Sequence, residues 1–248
     1  MENSDLAVYL ACYNEDLTII PAWKALSKVF HQVKVVDVGS TDSSIYKLKK
    51  VNADIIQIPV MTDENLIKTW SHSKKSPYEA YTAVKNHYAE QHEWIFWVDG
   101  DEVWPEAELQ KIVPAINTGE YGAYRVGNKF ATEDNTGKFL YDNFVIAEAP
   151  RVFRGDIYKW NRRYPDEYLM NKLDGDFKKG IQPKYDDTVD PSGVKSRKQI
   201  YSFWNWHLRY MKRSSTMEIR LRNDRRKNTL HWLDEFDKIR VNKFPWDE

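Results

Sequence analysis

The sequence has one cysteine, no long hydrophobic run and no net charge, and each of these absences excludes a class of protein. Cys12 has no second cysteine to pair with, which excludes a disulfide-stapled scaffold and a cysteine-rich zinc module. No wholly apolar run approaches the ~20 residues of a membrane-spanning helix, and no signal peptide is visible at the N-terminus. The sequence therefore predicts a cytoplasmic protein without a transmembrane segment.

Charge is balanced over the whole chain but unevenly distributed along it. Thirty-seven basic residues match 37 acidic residues, which excludes a uniformly basic nucleic-acid coat. Residues 195–243 nevertheless hold 14 Lys and Arg against 5 Asp and Glu, a charge of +9, whereas residues 1–194 carry −7. The basic segment predicts that an anion is bound at that end of the chain.

Apolar runs alternate with segments of helical spacing in the first 116 residues. The predicted strands are residues 6–12, 33–36, 53–60 and 94–98. Strands that alternate with helices in this way predict an α/β fold with a mostly parallel sheet flanked by helices. Residues 121–153 read as β-rich, and the Arg, Glu and Leu content of residues 215–238 predicts a helix.

Three carboxylates, Asp99, Asp101 and Glu102, follow the most apolar predicted strand. Ligands of open α/β sheets bind at the carboxyl ends of the strands. Two carboxylates about 4 Å apart repel by roughly 4 kcal/mol at an effective dielectric near 20, and a hard divalent cation such as Mn²⁺ or Mg²⁺ removes that repulsion. The alternative interpretation is that Asp99 and Asp101 cap the helix that begins near Pro105.

Polar motifs also follow the first two strands, so that three motifs stand at strand ends. They are Ala11-Cys12-Tyr13-Asn14-Glu15, Asp37-Val38-Gly39-Ser40-Thr41-Asp42 and Asp99-Gly100-Asp101. In order and spacing this set resembles the family 2 glycosyltransferases of the GT-A fold. The resemblance is specific over about residues 6–104 and weak beyond them.

The resemblance implies how the chain is divided. Residues 1–194 would form a GT-A catalytic domain, with a nucleotide-sugar-binding half at 1–116 and a β-rich acceptor half at 117–194. Residues 195–248 would be a basic, aromatic-containing segment packed on that domain, with a C-terminal helical arm. The oligomeric state is left open.

The resemblance also implies a nucleotide-sugar site. Its expected residues are Ala11, Tyr13, Asn14, Glu15, Asp37, Gly39, Ser40, Thr41, Asp42, Lys85, Asn86, Asp99 and Gly100. Asp37 suits the edge of a base, and Gly39 permits positive φ or close backbone approach. Asp42 fits a helix N-cap equally well. Lys85 stands where the family has Arg, which leaves a point-charge contact, and an exposed surface lysine is the alternative.

Metal and base residues follow from the same resemblance. Asp101 is the expected ligand of Mn²⁺ or Mg²⁺, with Asp99 and His207 assisting, although a lone His among aromatics also fits a structural role. The expected general base is Glu167, with Asp166 as the second choice, because both follow the Arg151-Val152-Phe153-Arg154 strand. Family members often have His-Glu at that place, and two solvated loop acids are the alternative.

These features predict a metal-dependent, inverting glycosyltransferase that moves a sugar from a nucleotide diphosphate donor to a hydroxyl of a carbohydrate or lipid-linked glycan. The basic segment keeps a second acceptor open, a hydroxymethylated base in DNA, which the enzyme would reach by base flipping. Two alternatives belong to other classes: a non-catalytic carbohydrate-binding protein and a nucleotidyltransferase. The latter usually has a Gly-rich loop after the first strand, and Tyr13-Asn14-Glu15-Asp16 contains no glycine.

Overall fold

The structure is a computed structural model that describes eleven segments of the chain. These are residues 5–58, 85–88, 91–118, 122–133, 139–142, 146–155, 158–163, 166–171, 203–208, 214–215 and 238–241. Among them, ten strands form one sheet and two strands form a separate pair. Statements about the structure below concern these segments.

The N-terminal half of the sheet is parallel. Its strands are β1 (Leu6–Cys12), β2 (Val33–Asp37), β3 (Asp54–Gln57) and β4 (Trp94–Asp99), in the spatial order β4-β1-β2-β3. Every residue of β4 before Asp99 is buried, as expected for a strand covered on both faces. The predicted α/β fold and its four strands are confirmed, although β3 is shorter than predicted.

Helices connect these strands. They are α1 (Ile19–Ser27), α2 (Ser44–Lys50), α3 (Glu106–Leu109) and α4 (Ile112–Asn117). The sequence predicts one helix over 105–116, and the structure divides it at residues 110 and 111. The sequence also predicts a helix from Ser76 to about His92. Residues 85–88 are helical, and most of its other residues are outside the described segments.

The second half of the sheet is mostly antiparallel. It contains β5 (Glu102–Val103), β6 (Ala123–Glu133), β7 (Phe139–Asp142) and β8 (Ile146–Arg154). Strand β8 pairs with both β4 and β6, so it joins the two halves. The predicted β-rich character of residues 121–153 is confirmed.

Four more strands follow in the second half of the chain. They are β9 (Tyr158–Arg163), β10 (Asp166–Asn171), β11 (Phe203–His207) and β12 (Lys238–Val241). Strands β9 and β10 form the separate pair. Strand β11 runs parallel to β6 and antiparallel to β5, which brings a segment distant in sequence beside the end of β4. Of the helix predicted over 215–238, the structure describes only Ser215, which is in a bend, and Lys238, which begins β12.

Apolar side chains fill both faces of the sheet. Leu10, Phe96 and Val98 belong to the larger cluster, under α1 and α3, while Tyr9 and Trp97 belong to the smaller one. Cys12 is also fully buried, and burial raises the pKa of its thiol, which suits the predicted role as a small core residue. None of the described helices has the length and apolar character needed to cross a membrane.

Candidate functional site

The loops after β1 and β2 are hydrogen-bonded to each other. Asn14 has a positive φ of 54°, and its Oδ1 accepts from the backbone N–H of Thr41 at 2.7 Å and of Asp42 at 3.2 Å. Its own N–H donates to Ser40 Oγ at 2.9 Å. The side-chain oxygen of Asn14 therefore holds the two loops together, a role that the sequence motif does not reveal.

Asp37 organises the turn at the end of β2. Its carboxylate accepts from the backbone N–H of Gly39 at 3.2 Å and of Ser40 at 3.1 Å. Gly39 has φ 99°, a conformation that favours glycine, so the expectation of positive φ is confirmed. Asp37 is buried and lies at the carboxyl end of β2.

Asp42 is bonded on both carboxylate oxygens. Its Oδ1 accepts from the N–H of Ser44 at 2.9 Å and from the Ser44 hydroxyl at 2.5 Å. Asp42 therefore bonds the first residue of α2, although the N-cap position itself is Ser43. Its Oδ2 accepts from the N–H of Asp16 at 3.2 Å and from the Ser214 hydroxyl at 2.6 Å. Asp42 thus connects the first two loops to the C-terminal segment.

Asp16 makes the second connection to that segment. Its carboxylate accepts from the N–H and the hydroxyl of Ser215, at 2.6 and 2.7 Å, and from the Ser43 hydroxyl at 2.5 Å. Burial acts to raise the pKa of Asp16, but the bonds from Ser43 and Ser215 and the charge of Lys47 outweigh it and lower that pKa to about 2. We call the contacts of Ser214 and Ser215 with Asp16 and Asp42 the serine clasp.

Gly100 allows the acidic cluster to sit directly against β1. A Cβ atom added at Gly100 would lie 2.8 Å from the carbonyl oxygen of Ala11 and 3.0 Å from Glu15 Cγ and Ile19 Cδ1. Backbone oxygens cannot yield to such a contact cheaply. The structure therefore places the first and third motifs in contact, as the sequence predicts, and explains why the middle residue of Asp-x-Asp is glycine here.

Arg151 on β8 pairs with two residues of the acidic cluster. Its Nη2 donates to Asp99 Oδ2 at 2.7 Å and also to Glu102 Oε1. Burial acts to raise the pKa of Asp99, but the charges of Arg151 and Lys85 outweigh it and lower that pKa. Burial dominates at Glu102 and raises its pKa. The sequence motif marks Arg151 only as part of a strand, so its role in the site was missed, as was that of Glu102.

Asp101 and His207 are brought together by sheet pairing. His207 lies opposite Glu102 in the β11–β5 ladder, and the N–H of Leu208 donates to the carbonyl oxygen of Asp101 at 2.7 Å. His207 Nε2 is then 3.4 Å from Asp101 Oδ2, with both side chains buried. This pair corresponds to two of the three predicted metal residues.

The charge of this cluster fits a cation. Asp99 and Glu102 pair with Arg151. The charges of Lys85 and His207 also act to lower the pKa of Asp99, and that of Asp101 acts to raise it. Asp99, the third predicted ligand, is held by Arg151 but keeps 38% of its side chain exposed. No complete set of three metal-ligating side chains occurs within the described segments. One carboxylate with an adjacent imidazole is suited to Mn²⁺ or Mg²⁺ that also binds ligand oxygens and water.

Lys85 is buried, so its interpretation as a surface lysine is wrong. Its Nζ lies 5.2 Å from the centre of the Trp97 ring, a cation–π distance. Asn86 follows it in the helical turn and is partly exposed. Tyr13, in the loop after β1, is partly exposed as well.

The two candidate bases lie on strand β10. Asp166 pairs with Arg163, and Glu167 pairs with Arg162, in the β9–β10 ladder. Strand β10 contacts β8, the strand that carries Arg151. The alternative that both are loop acids is wrong, because both are in a strand.

Residues 7–183 match a family model described as Glycosyl transferase family 2. No protein of curated function is significantly similar in sequence. The chain is also similar to a glucosyl-3-phosphoglycerate synthase from Mycobacterium tuberculosis in complex with Mn²⁺ and uridine-diphosphate-glucose, with 16% identity and a TM-score of 0.36. That similarity covers 51% of this chain and 44% of the synthase.

A second solved structure, S. aureus TarS, is 19% identical with a TM-score of 0.35, and the similarity covers 51% of this chain and 22% of that one. The chain therefore spans less than half the length of either structure.

Proposed function

This chain belongs to glycosyl transferase family 2 and is a glycosyltransferase; from this premise we propose that it transfers a sugar from a nucleotide diphosphate to a hydroxyl acceptor, with Mn²⁺ or Mg²⁺ and with inversion at the anomeric carbon. The acceptor class that we propose is a carbohydrate or a lipid-linked glycan. Metal dependence, inversion and acceptor are each proposals that go beyond family membership.

The observation that carries the proposal is the buried Asp101 beside His207 at the carboxyl end of β4, 3.4 Å between Oδ2 and Nε2. Clustered buried carboxylates are stabilised by cations. Arg151 pairs with Asp99 and Glu102, and Asp101 and His207, whose facing atoms lie 3.4 Å apart, would hold the metal ion. When bound, such an ion supplies Lewis-acid stabilisation of the charge on the departing diphosphate.

The chain's own residues would position the donor. Asp37 and the loop around Gly39 lie where the base and ribose would bind, at the carboxyl ends of β1 and β2. Asn14 keeps that loop in place through its bonds to Thr41 and Asp42. The partly exposed Asp99 is held by Arg151 at 2.7 Å and can accept from a hydroxyl of the sugar.

Transfer also needs a general base for the acceptor. We assign this role to Glu167, with Asp166 as the second candidate, because β10 contacts β8, the strand that carries Arg151. The base removes the hydroxyl proton as the acceptor oxygen attacks the anomeric carbon, and the nucleoside diphosphate leaves from the opposite side.

One observation favours a second acceptor. Residues 195–243 carry +9, a charge that suits a polyanion such as DNA as well as the donor diphosphate. Transfer to a hydroxymethylated base would use the same donor chemistry, so the two acceptors differ only in what the basic segment binds.

The Asp101→Asn variant tests the proposal. With a panel of sugar nucleotides and Mn²⁺, the wild-type protein should release nucleoside diphosphate, and the variant should lose at least about 100-fold in turnover, the loss typical of one pre-organised electrostatic group. Asp54→Asn, at an exposed position of β3, is the matched control and should retain activity. Full activity of Asp101→Asn, or of the wild type in excess chelator, would contradict the metal assignment.

A further inference from the structure

Two buried asparagines lie beside His207 with amide atoms that have no hydrogen-bond partner among the described residues. Asn128 on β6 and Asn205 on β11 are both fully buried and lie opposite each other in the β6–β11 ladder. Asn128 Oδ1 and both amide atoms of Asn205 are without partners. Buried amide groups normally have hydrogen-bond partners. The unpartnered amide atoms of this pair therefore require an explanation.

The remaining amide atom contacts the histidine. Asn128 Nδ2 lies 2.9 Å from His207 Nδ1, and both side chains are buried. An amide nitrogen only donates, so Nδ1 accepts here and the proton of a neutral ring is on Nε2. That nitrogen is the one 3.4 Å from Asp101 Oδ2. The contacts on the two sides of the ring are therefore consistent with a single tautomer.

A histidine that binds a cation through Nε2 must use the lone pair of that nitrogen, so its proton has to be on Nδ1. The Nδ1–H then needs an acceptor. Rotating the Asn128 amide by half a turn exchanges its oxygen and nitrogen and provides that acceptor, the Oδ1 atom that now lacks a partner. The facing amide of Asn205 can pair with whichever end of Asn128 is turned towards it.

We propose that Asn128 is a positioning residue that sets which ring nitrogen of His207 carries the proton. Its amide nitrogen favours the proton on Nε2, facing Asp101. Its amide oxygen favours the proton on Nδ1 and leaves Nε2 available to a divalent cation. The metal role of His207 rests on the proposed function. The link between Asn128 and His207 does not.

The test reads the ring nitrogens directly. Protein labelled with ¹⁵N-histidine is examined by long-range ¹H–¹⁵N spectra at a pH where the ring is neutral, and the signals that disappear in His207→Gln identify His207. In the metal-free wild type, Nδ1 should be unprotonated. In Asn128→Asp, whose carboxylate only accepts, Nδ1 should be protonated. An unprotonated Nδ1 in this variant would overturn the proposal.

Addition of Mg²⁺ separates this inference from the proposed function. In the wild type, saturating Mg²⁺ should move the proton to Nδ1. If Asn128→Asp protonates Nδ1 while Mg²⁺ leaves the wild-type spectrum unchanged, the role of Asn128 is supported and the metal role of His207 fails. If Mg²⁺ moves the wild-type proton to Nδ1 while metal-free Asn128→Asp leaves Nδ1 unprotonated, the metal role of His207 is supported and the role of Asn128 is overturned.

Mg²⁺ affinity, measured by calorimetry, gives a second readout. Asn128→Leu should weaken Mg²⁺ binding by about 10- to 100-fold, the usual effect of removing a group that orients a metal-binding histidine. Asn205→Leu removes an amide of equal burial but leaves the contact between Asn128 and His207, so it should lose less than about 10-fold. Equal affinities of the two leucine variants would contradict the proposal.

Discussion

Arg151 is the residue on which the charge balance of the acidic cluster depends. Its guanidinium is buried and bonded to Asp99 and Glu102, two carboxylates that belong to β4 and β5. Removing one partner of a buried ion pair leaves the other charge uncompensated, which costs more than the pair itself contributes. Arg151 therefore acts on both the stability of the sheet and the position of Asp99.

We expect Arg151→Met to lower the free energy of unfolding by about 3–5 kcal/mol, the cost typical of breaking a buried ion pair from one side. Urea denaturation followed by circular dichroism measures this change. Arg154→Met is the matched control on the same strand, because the Arg154–Glu93 pair is partly exposed at 3.8 Å and should contribute at most about 1 kcal/mol. Equal losses in the two variants would refute the assigned role of Arg151.

At the scale of elements, the serine clasp links the C-terminal segment to the loops that precede α1 and α2. It joins Ser214 to Asp42 and Ser215 to Asp16 through bonds of 2.6–2.7 Å. Glu15, in the loop after β1, also lies against Gly100 at the end of β4. The clasp therefore stabilises this edge of the sheet, although neither serine belongs to any of the three motifs.

The serine clasp predicts how the free energy of unfolding depends on pH. Asp16 has a pKa lowered to about 2 from an ordinary 3.8, so its ionised form stabilises the folded state above about pH 4. This contribution, about 2 kcal/mol by linkage, should be lost as the pH falls from about 4 towards 2. Denaturant unfolding at a series of pH values measures it.

Two variants make this acid dependence specific to the clasp. Asp16→Asn cannot ionise, so the part of the stability change assigned to this residue should vanish. Ser215→Ala removes the hydroxyl bond and should shift the transition to higher pH, because a weaker bond lowers the pKa of Asp16 less. The assignment fails if the wild type and Asp16→Asn lose stability equally over this pH range.

At the scale of the whole molecule, strand periodicity and motif order predicted much of the fold. Strands β1, β2 and β4 were predicted within about one residue, because buried runs such as Trp94–Val98 are read directly from apolar residues. The three motifs also meet at one sheet edge, as parallel strand ends must. The order of the strands in a parallel α/β sheet therefore predicts which motifs become neighbours.

The partners of those motifs could not be predicted in the same way. Arg151, Asn128 and Ser215 reach the site from strands or segments far along the chain, and no local pattern records which side chain a distant strand will present. The bond from Asp42 to the start of α2 and the turn formed by Asp37 could be partly predicted from the sequence, since acids after strands commonly bond the next backbone N–H groups. Burial of Lys85 had no sequence signal.

The uneven charge of the chain gives a prediction that distinguishes the two proposed acceptors, a glycan and DNA. If residues 195–243 bind DNA, affinity for a duplex should fall steeply between 50 and 200 mM salt, by about 10³ or more for six phosphate contacts. Replacing Arg225 and Arg226 with Gln should reduce the slope of log affinity against log salt by about 0.9 for each phosphate that the variant no longer binds. Fluorescence anisotropy measures both.

For comparison, the release of nucleoside diphosphate by the same double variant is measured at fixed salt. A basic segment that serves only the donor would affect this release and show no salt-dependent affinity for DNA. That outcome would rule out the DNA acceptor and leave the glycan acceptor that we propose.

The serine clasp also bears on when the site can form during synthesis. Asp16 and Asp42 precede their partners by 199 and 172 residues, and a ribosome adds residues at about 5–20 per second. The parallel strands end at Asp99, so they can assemble about 6–23 seconds before Ser215 is added. During that interval neither serine is available to Asp16 and Asp42, so in a nascent chain the loops after β1 and β2 lack these bonds to the C-terminal segment.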